Sequence, residues 1–187
     1  MKFQPFIAAL LFALTTQVYA EGVYVGIAGG KLNSESSASV LTGTASLDED
    51  EDDTGYKLFA GYRASNNFGV EFHYADLGEI SLSGNTGDRF ISNGSTYEFV
   101  ANGVKIIQET KSYGVAATYT FPINDSFSFS GKIGMHAWEL ETNLSTGDSV
   151  ADEDGTEPFY GIGASYQLSE NVGVRAEFER FQIDSED

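Results

Sequence analysis

The 187-residue chain has no cysteine, only three prolines and few basic residues. Without cysteine there can be no disulfide, no thiolate metal site and no cysteine nucleophile. Ten Lys and Arg against 28 Asp and Glu give a formal net charge of −18. That charge leaves no basic patch for phosphates, so nucleic acid is disfavoured as a partner. What is abundant is glycine, with 21 residues, and aromatic side chains, at 13%. This mixture favours many strands joined by polar loops over helices or an acidic disordered chain.

Residues 1–20 have the features of a secretory signal peptide. Lys2 precedes the apolar run 6–14, and Val18 and Ala20 occupy the −3 and −1 positions of a cleavage point before Glu21. The run is too short for a membrane-spanning helix, which needs about 20 residues. No other stretch is long and apolar enough either, so a membrane role must use strands. We therefore predict a signal peptide over 1–20 and one barrel domain over 21–187.

Seven segments of about ten residues alternate between two faces, as strands do. One face is bulky and apolar, and the other is small, polar or charged. Each segment is close to the length of a tilted transmembrane strand, about 9–11 residues. The segments are 22–31, 54–63, 68–77, 112–121, 127–136, 159–168 and 172–181. We predict that the bulky face meets lipid and the small face lines a narrow barrel. The alternative is a soluble sandwich or exported binding barrel with the bulky face inside.

Aromatic residues fall near both ends of these segments and predict two belts at the membrane interfaces. The predicted lipid-facing belt residues are Tyr56, Tyr62, Phe68, Tyr74, Tyr113, Phe121, Phe127, Tyr160 and Tyr166. Tight turns at 64–67, 122–126 and 169–171 alternate with long connections at 33–53, 78–111 and 137–158. Such alternation is typical of outer-membrane barrels with periplasmic turns and extracellular loops. The pair Asn102-Gly103 predicts a hairpin of 97–100 with 104–107 that stands above the membrane.

The segments 55–63, 68–78 and 174–181 resemble the OmpA-like transmembrane domain family of small outer-membrane β-barrels. The resemblance covers most of 21–187. It implies an all-β, antiparallel, up-and-down transmembrane barrel of eight strands in a Gram-negative outer membrane, with structural or loosely defined roles. One feature departs from the family. Only seven strands are identifiable, and nothing after Phe181 can form an eighth strand ending in an aromatic residue. We expect a fragment that lacks its closing strand. Closure with seven strands and completion by another chain are the alternatives, and a completed barrel is expected to be a monomer.

Charged residues on the inward faces are predicted to form a network inside the barrel, because buried charges must be paired. These residues are Lys57, Arg63, Glu71, Lys132, Arg175, Glu177 and Glu179. An interior of eight strands leaves room for little more than side chains, which predicts a filled lumen. The alternative is a narrow, porin-like channel for small solutes whose pairs rearrange.

Little in the sequence indicates catalysis or cofactors. His73 and His136 fall on inward positions, but no serine or carboxylate is paired with them in sequence. We therefore predict no enzyme, no cofactor and no metal ligand set, and keep a lipid-modifying barrel enzyme as an alternative. The acidic run 48–53 and the cluster Asp148, Asp152, Glu153, Asp154 and Glu157 predict solvated loops with at most a weak role in binding divalent cations.

These features together predict a non-enzymatic barrel of the outer membrane of a Gram-negative bacterium. Its role is expected to be envelope integrity or surface interaction through acidic extracellular loops. The expected partners are outer-membrane lipid and lipopolysaccharide, together with an external partner that the sequence does not identify.

Overall fold

The computed structural model of the protein describes residues 6–17, 22–34, 39–42, 53–92, 95–145 and 149–183. Every regular element in these ranges is a β-strand. The strands are β1 Phe6–Gln17, β2 Gly22–Ser34, β3 Ser39–Thr42, β4 Asp53–Arg63, β5 Phe68–Gly84, β6 Arg89–Ser92, β7 Ser95–Glu98, β8 Val104–Pro122, β9 Phe127–Leu144, β10 Ser149–Ser169 and β11 Val172–Gln182. Over the same ranges, no helix has the length and apolar character needed to cross a membrane.

Eight strands form a closed barrel in the order β1-β11-β10-β9-β8-β5-β4-β2, and each neighbouring pair is antiparallel. The short strands β3, β6 and β7 form a separate sheet. The prediction of an all-β, antiparallel, up-and-down barrel is confirmed. Each of the seven predicted segments overlaps one barrel strand, from β2 to β11.

The two faces are also as predicted. Ile162, on the bulky face of β10, is 68% exposed, whereas Glu71, on the small face of β5, is 2% exposed. Tyr62, Phe72 and Tyr119 are exposed in the same way as Ile162. The apolar face of the sheet therefore points outward, and the charged face lines the barrel axis.

The register of the strands gives the barrel its tilt. Starting at Val23 and stepping between directly paired outward residues, one full circuit returns to β2 at Asn33, ten residues further along. The path runs Val23, Tyr62, Val70, Ala117, Ile133, Tyr160, Arg180, Ala8 and Asn33. Such a stagger requires the strands to tilt, typically by about 35–45° in closed barrels. Each step along this path rises toward the end with the long connections, here called the loop end; the opposite end is the turn end.

The expectation of a missing closing strand is wrong for this structure. Strand β1 lies between β11 and β2, with Phe6 opposite Gln182 and Thr16 opposite Val25. It alternates, since Ala9 is buried inside the barrel while Phe12 is exposed outside. The run that forms β1 is apolar on both faces, and periodicity cannot distinguish such a run from the core of a signal peptide.

Four strands extend into regions predicted as loops. β5 continues to Gly84, β8 begins at Val104, β9 continues to Leu144 and β10 begins at Ser149. The predicted loops 78–111 and 137–158 are therefore largely wrong in extent. The sheet β5-β8-β9-β10 projects beyond the other barrel strands at the loop end. Apart from Ile107, its outer portion is polar on its outward face, so the apolar alternation that revealed the lower portion is absent there.

The predicted hairpin at Asn102-Gly103 is wrong in its pairing. Gly103 has a φ of 68°, which fits a turn at this point. However, β7 pairs with β6, and residues 104–107 belong to β8, which pairs with β5. The two flanking segments thus have other partners, and a turn signal alone does not choose between them. Residues 48–52 of the acidic run and Asp148 lie outside the described residues.

Candidate functional site

A compact cluster of six charged side chains fills the middle of the barrel. The side chains come from β4, β5, β9 and β11, and all are buried or nearly so: Lys57, Glu71, Lys132, Arg175, Glu177 and Glu179. The cluster holds three cations and three carboxylates, so its formal charge is zero. Lys132 lies at its centre, with Nζ 2.6 Å from Glu71 Oε1, 2.8 Å from Glu177 Oε1 and 2.7 Å from Glu179 Oε1.

The other two cations complete the pairing. Lys57 Nζ donates to Glu179 Oε1 at 2.6 Å and to Glu177 Oε2 at 3.1 Å. Arg175 Nη1 donates to Glu71 Oε2 at 2.9 Å, and the hydroxyl of Tyr24 donates to the same oxygen at 3.0 Å. Each carboxylate therefore contacts at least two cations. This arrangement offsets the cost of removing the charges from water.

The three carboxylates also lie close enough together to suggest a metal site. Oxygens of Glu71, Glu177 and Glu179 all lie within 4.8 Å of one another. The space they share is taken by the ammonium of Lys132, which contacts all three. A divalent cation there would have to displace a paired lysine, so the donor set does not fit a metal.

Arg63, the seventh predicted network residue, lies apart from this cluster. It lines a polar recess of about 360 Å³ at the turn end, together with Asn67, Thr120, Ser165 and Gln167. It also borders a much smaller space beside Glu71 and Lys132. The recess is open to solvent at the turn end, and none of its lining residues belongs to the charged cluster.

Above the cluster, toward the loop end, the two histidines share one serine. His136 Nε2 lies 2.9 Å from the carbonyl oxygen of Gln182. That nitrogen must donate, so in a neutral ring Nδ1 accepts. Nδ1 lies 2.9 Å from Ser112 Oγ, and the serine hydroxyl therefore donates to it. Ser112 Oγ in turn accepts from His73 Nε2 at 3.3 Å. The hydrogen bonds run in one direction, from His73 through Ser112 to His136.

An aromatic pair closes the lumen beside these histidines. The rings of Phe159 and Phe181 stack with centroids 5.4 Å apart and an interplanar angle of 7°. His73 meets Phe159 edge-on at 4.7 Å, and His136 meets Phe181 edge-on at 5.3 Å. This aromatic layer is a second barrier above the charged cluster.

Sequence reasoning placed both histidines inside but missed Ser112 as their partner. Ser128 and Ser130, on the inward face of β9, form no hydrogen bond with either histidine within the described residues. A base beside a serine is the start of a nucleophile arrangement. Here, however, Ser112 is 0% exposed and His136 is oriented by a backbone carbonyl, so a substrate has no access. The geometry fits a packed polar network better than a catalytic site.

The outer wall carries aromatic residues at two levels. Near the loop end, the rings of Tyr56 and Tyr74 lie 6.2 Å apart, and those of Tyr74 and Tyr113 lie 5.2 Å apart. Near the turn end, Phe68 and Tyr119 lie 4.8 Å apart. The remaining predicted belt residues also sit at outward positions: Tyr62, Phe121, Phe127, Tyr160 and Tyr166.

Beyond the upper aromatic level, the projecting sheet carries seven outward carboxylates, here called the acidic rim. Its members are Asp76, Glu79, Glu109, Glu139, Glu141, Asp152 and Asp154. Asp152, Glu141, Glu109 and Glu79 lie directly opposite one another across four strands. Two lysines pair with the rim, Lys111 with Glu141 and Lys105 with Glu79, each at 3.5 Å. Asp152 and Asp154, predicted on a loop, are on strand β10.

A match to one protein family agrees with this architecture. Residues 6–187 match the family model described as outer membrane protein beta-barrel domain. Among solved structures, Ail of Yersinia pestis in complex with the heparin analogue sucrose octasulfate is 13% identical, covering 95% of this chain and 99% of that one, with a TM-score of 0.41. OprG from Pseudomonas aeruginosa is 13% identical, covering 97% of each chain, with a TM-score of 0.39. No curated protein sequence matches the chain.

Proposed function

The chain belongs to the outer membrane protein beta-barrel domain family, and from this premise we propose that it is a non-enzymatic barrel whose acidic rim engages cations at the cell surface. The protein is located in the outer membrane. Its role is envelope integrity or surface interaction through the loop end. The observation that carries the proposal is the row of four carboxylates on four neighbouring strands.

Like charges directly opposite one another in a sheet are destabilising, and side chains in such pairs lie only about 4.5–5.5 Å apart at Cβ. Divalent cations bind carboxylate oxygens and would relieve this repulsion. Lipopolysaccharide phosphates in the outer leaflet need the same cations. The rim therefore supports a cation-bridged contact between the barrel and lipopolysaccharide. It disfavours direct binding of a sulfated polyanion such as the heparin analogue bound to Ail.

Calorimetry of the folded protein in detergent tests this role. We expect Ca²⁺ binding that is lost when four rim carboxylates are neutralised as Glu79→Gln, Glu109→Gln, Glu141→Gln and Asp152→Asn. The control neutralises two acids at the turn end, as Asp125→Asn and Glu170→Gln. Absence of Ca²⁺ binding by the wild type, or equal loss in the control, would contradict the proposal.

The filled interior supports a closed barrel rather than an open channel. We propose that this protein is OmpA-like among outer-membrane barrels and acts as a monomer. Eight strands, tight turns at one end and a charge-filled lumen support this assignment. The narrow channel and the lipid-modifying enzyme are the weaker alternatives, since the cluster and Ser112 are both buried.

We also propose that residues 1–20 direct export. The support is their sequence pattern. In the structure, residues 6–17 of the same segment form β1. If cleavage occurs before Glu21, β2 and β11 need another strand between them, because unpaired backbone groups in lipid cost several kcal/mol each. N-terminal sequencing of the protein from outer membranes decides the matter. A start at Glu21 supports cleavage, and an intact Met1 contradicts it.

A further inference from the structure

The small space beside Glu71 and Lys132, here called the inner space, borders both the polar recess and the charged cluster. Its volume is about 10 Å³, which is room for roughly one water-sized particle. Its lining residues come from β2, β4, β5, β8, β9 and β11, so none of them lies in residues 1–20. Arg63 and Thr120 line both the inner space and the recess. A small ion in the solvent at the turn end can therefore reach the inner space through the recess.

The hydroxyl of Ser130 indicates that the inner space has an occupant. Ser130 lines this space from the inward face of β9, directly opposite Thr120 of β8. Its oxygen is buried and forms no hydrogen bond within the part of the chain that the structure describes. A buried hydroxyl without a partner costs free energy, because it has lost its hydrogen bonds to water. A small particle in the inner space would restore a partner to Ser130.

The charges around the inner space decide which kind of particle fits. Arg63, Lys132 and Arg175 line it, against one carboxylate, that of Glu71. The charged cluster is neutral as a whole, so Arg63 brings the formal charge of the seven predicted network residues to +1. Placing a charge in the barrel interior is costly unless an opposite charge balances it. The surroundings therefore disfavour a metal ion and favour an anion.

The hydrogen-bonding groups around the inner space lead to the same preference. Both oxygens of Glu71 already accept hydrogen bonds, Oε1 from Lys132 and Oε2 from Arg175 and Tyr24. Arg63 has a contact of its own, but its guanidinium carries five N–H donors and can also donate into the inner space. Donors are thus more available here than acceptors. An anion accepts from all of them, whereas a water molecule must also find acceptors for its own protons.

The two carboxylates of the recess do not reverse this preference. Asp125 and Glu170 line the recess from two turns, and both side chains are exposed. Charges in water are screened by salt, with a Debye length of about 8 Å at physiological ionic strength. Neither carboxylate lines the inner space. An anion held there is therefore influenced more by Arg63 than by Asp125 or Glu170.

We propose that the inner space binds one monovalent anion of the size of chloride. The anion accepts hydrogen bonds from the guanidinium of Arg63 and the hydroxyl of Ser130, and it offsets the positive charge that Arg63 adds to the lumen. A space of about 10 Å³ is too small for a phosphate group or an organic acid. Bound chloride stabilises the filled, closed interior of the barrel. The site does not depend on cation binding by the acidic rim.

Bromide diffraction tests the site directly in the wild type. Bromide is a monovalent anion similar in size to chloride, and its anomalous scattering distinguishes it from water. Crystals of the full chain, grown in detergent and soaked in sodium bromide, should show an anomalous peak in the inner space within hydrogen-bonding distance of Ser130 Oγ. A water molecule in its place, or an inner space without a bromide peak, would overturn the proposal. This result needs no variant to fold.

Urea unfolding in micelles measures how tightly the anion is bound. As chloride replaces gluconate at constant ionic strength, the folding equilibrium constant of the wild type should approach a tenfold rise for each tenfold rise in chloride. Arg63→Met should abolish this dependence, and Arg63→Lys, which keeps the charge, should retain part of it. Ser130→Ala should weaken chloride binding about tenfold, as expected for loss of one hydrogen bond to a charged group.

Two matched controls isolate the site. Ser165→Ala removes a hydroxyl that lines the recess but not the inner space, and Arg89→Met removes an exposed arginine of β6. Both should keep the chloride dependence of the wild type, because general effects of salt on unfolding act on every variant alike. Equal chloride dependence in the wild type and in Arg63→Met would overturn the proposal. Equal stability of the wild type in chloride and in gluconate would do the same.

Discussion

The hydroxyl of Ser112 donates to Nδ1 of His136 across 2.9 Å, deep inside the barrel. On the opposite side of the His136 ring, Nε2 donates to the Gln182 carbonyl, which fixes the orientation of the imidazole. The Ser112 hydroxyl oxygen also accepts a hydrogen bond from His73 Nε2, which fixes the position of the serine. One serine on β8 therefore joins strands β5 and β9 through their histidines.

Replacing Ser112 with alanine should destabilise the barrel by about 1–3 kcal/mol, because both imidazoles lose a hydrogen-bond partner while buried. Urea unfolding in micelles, followed by the fluorescence of Trp138, measures the change. Ser165→Ala, at the polar recess of the turn end, is the control and should cost much less. Equal costs would contradict a special role for Ser112.

Replacing Lys132 with methionine should cost about 3–5 kcal/mol, since three buried carboxylates then share two cations. The matched control is Lys105→Met. Its pair with Glu79 is exposed, and such pairs contribute about 0–1 kcal/mol. The same unfolding measurement applies. A small loss for Lys132→Met would mean that the cluster is hydrated rather than closed.

The solvent accessibility of the lumen can be measured by labelling single introduced cysteines, because the protein has no cysteine of its own. Ser165→Cys faces the open recess and should react quickly with a water-soluble maleimide in the folded barrel. Ser112→Cys lies deep inside the barrel, beside the aromatic layer and above the charged cluster, and should react only after unfolding. Rapid labelling at both positions would favour the channel alternative.

Replacing Gly114 with alanine should destabilise the barrel by about 1–3 kcal/mol, as overpacking does. Gly114 lies directly between His73 and His136 in the register, and an added Cβ would clash with Cε1 of His73. Gly131→Ala, on the open outward face, is the control. A neutral effect at Gly114 would show that His73 can move aside.

Local alternation was enough to predict seven strands and the direction of their faces. It placed Glu71 inside and Ile162 outside. This works because the outer side of the barrel wall contacts hydrocarbon, whereas the inner side faces the other strands across the barrel axis. It failed for β1, where both faces are apolar, and for the projecting parts of β8 and β10, whose outward faces are polar. In each case the contrast between the faces is missing.

The partners inside the barrel were beyond sequence reasoning for another reason. Six of the predicted inward charges meet in one cluster, but which carboxylate meets which cation depends on the stagger between strands. The same holds for Ser112, which meets two histidines 39 and 24 residues away. A shift of one pair in the register would separate them, and no short stretch of sequence encodes that register.

The pairing of Phe6 with Gln182 places the beginning of β1 beside the end of β11. The chain could therefore be rearranged by circular permutation, starting at Gly22 and continuing from β11 through a short designed linker into residues 6–17. Every strand would keep its two neighbours, while the segment that closes the wall would no longer stand at the front of the chain. Fusing an unrelated leader to this permutant would separate closure of the wall, which residues 6–17 provide in the structure, from the export that we propose for residues 1–20.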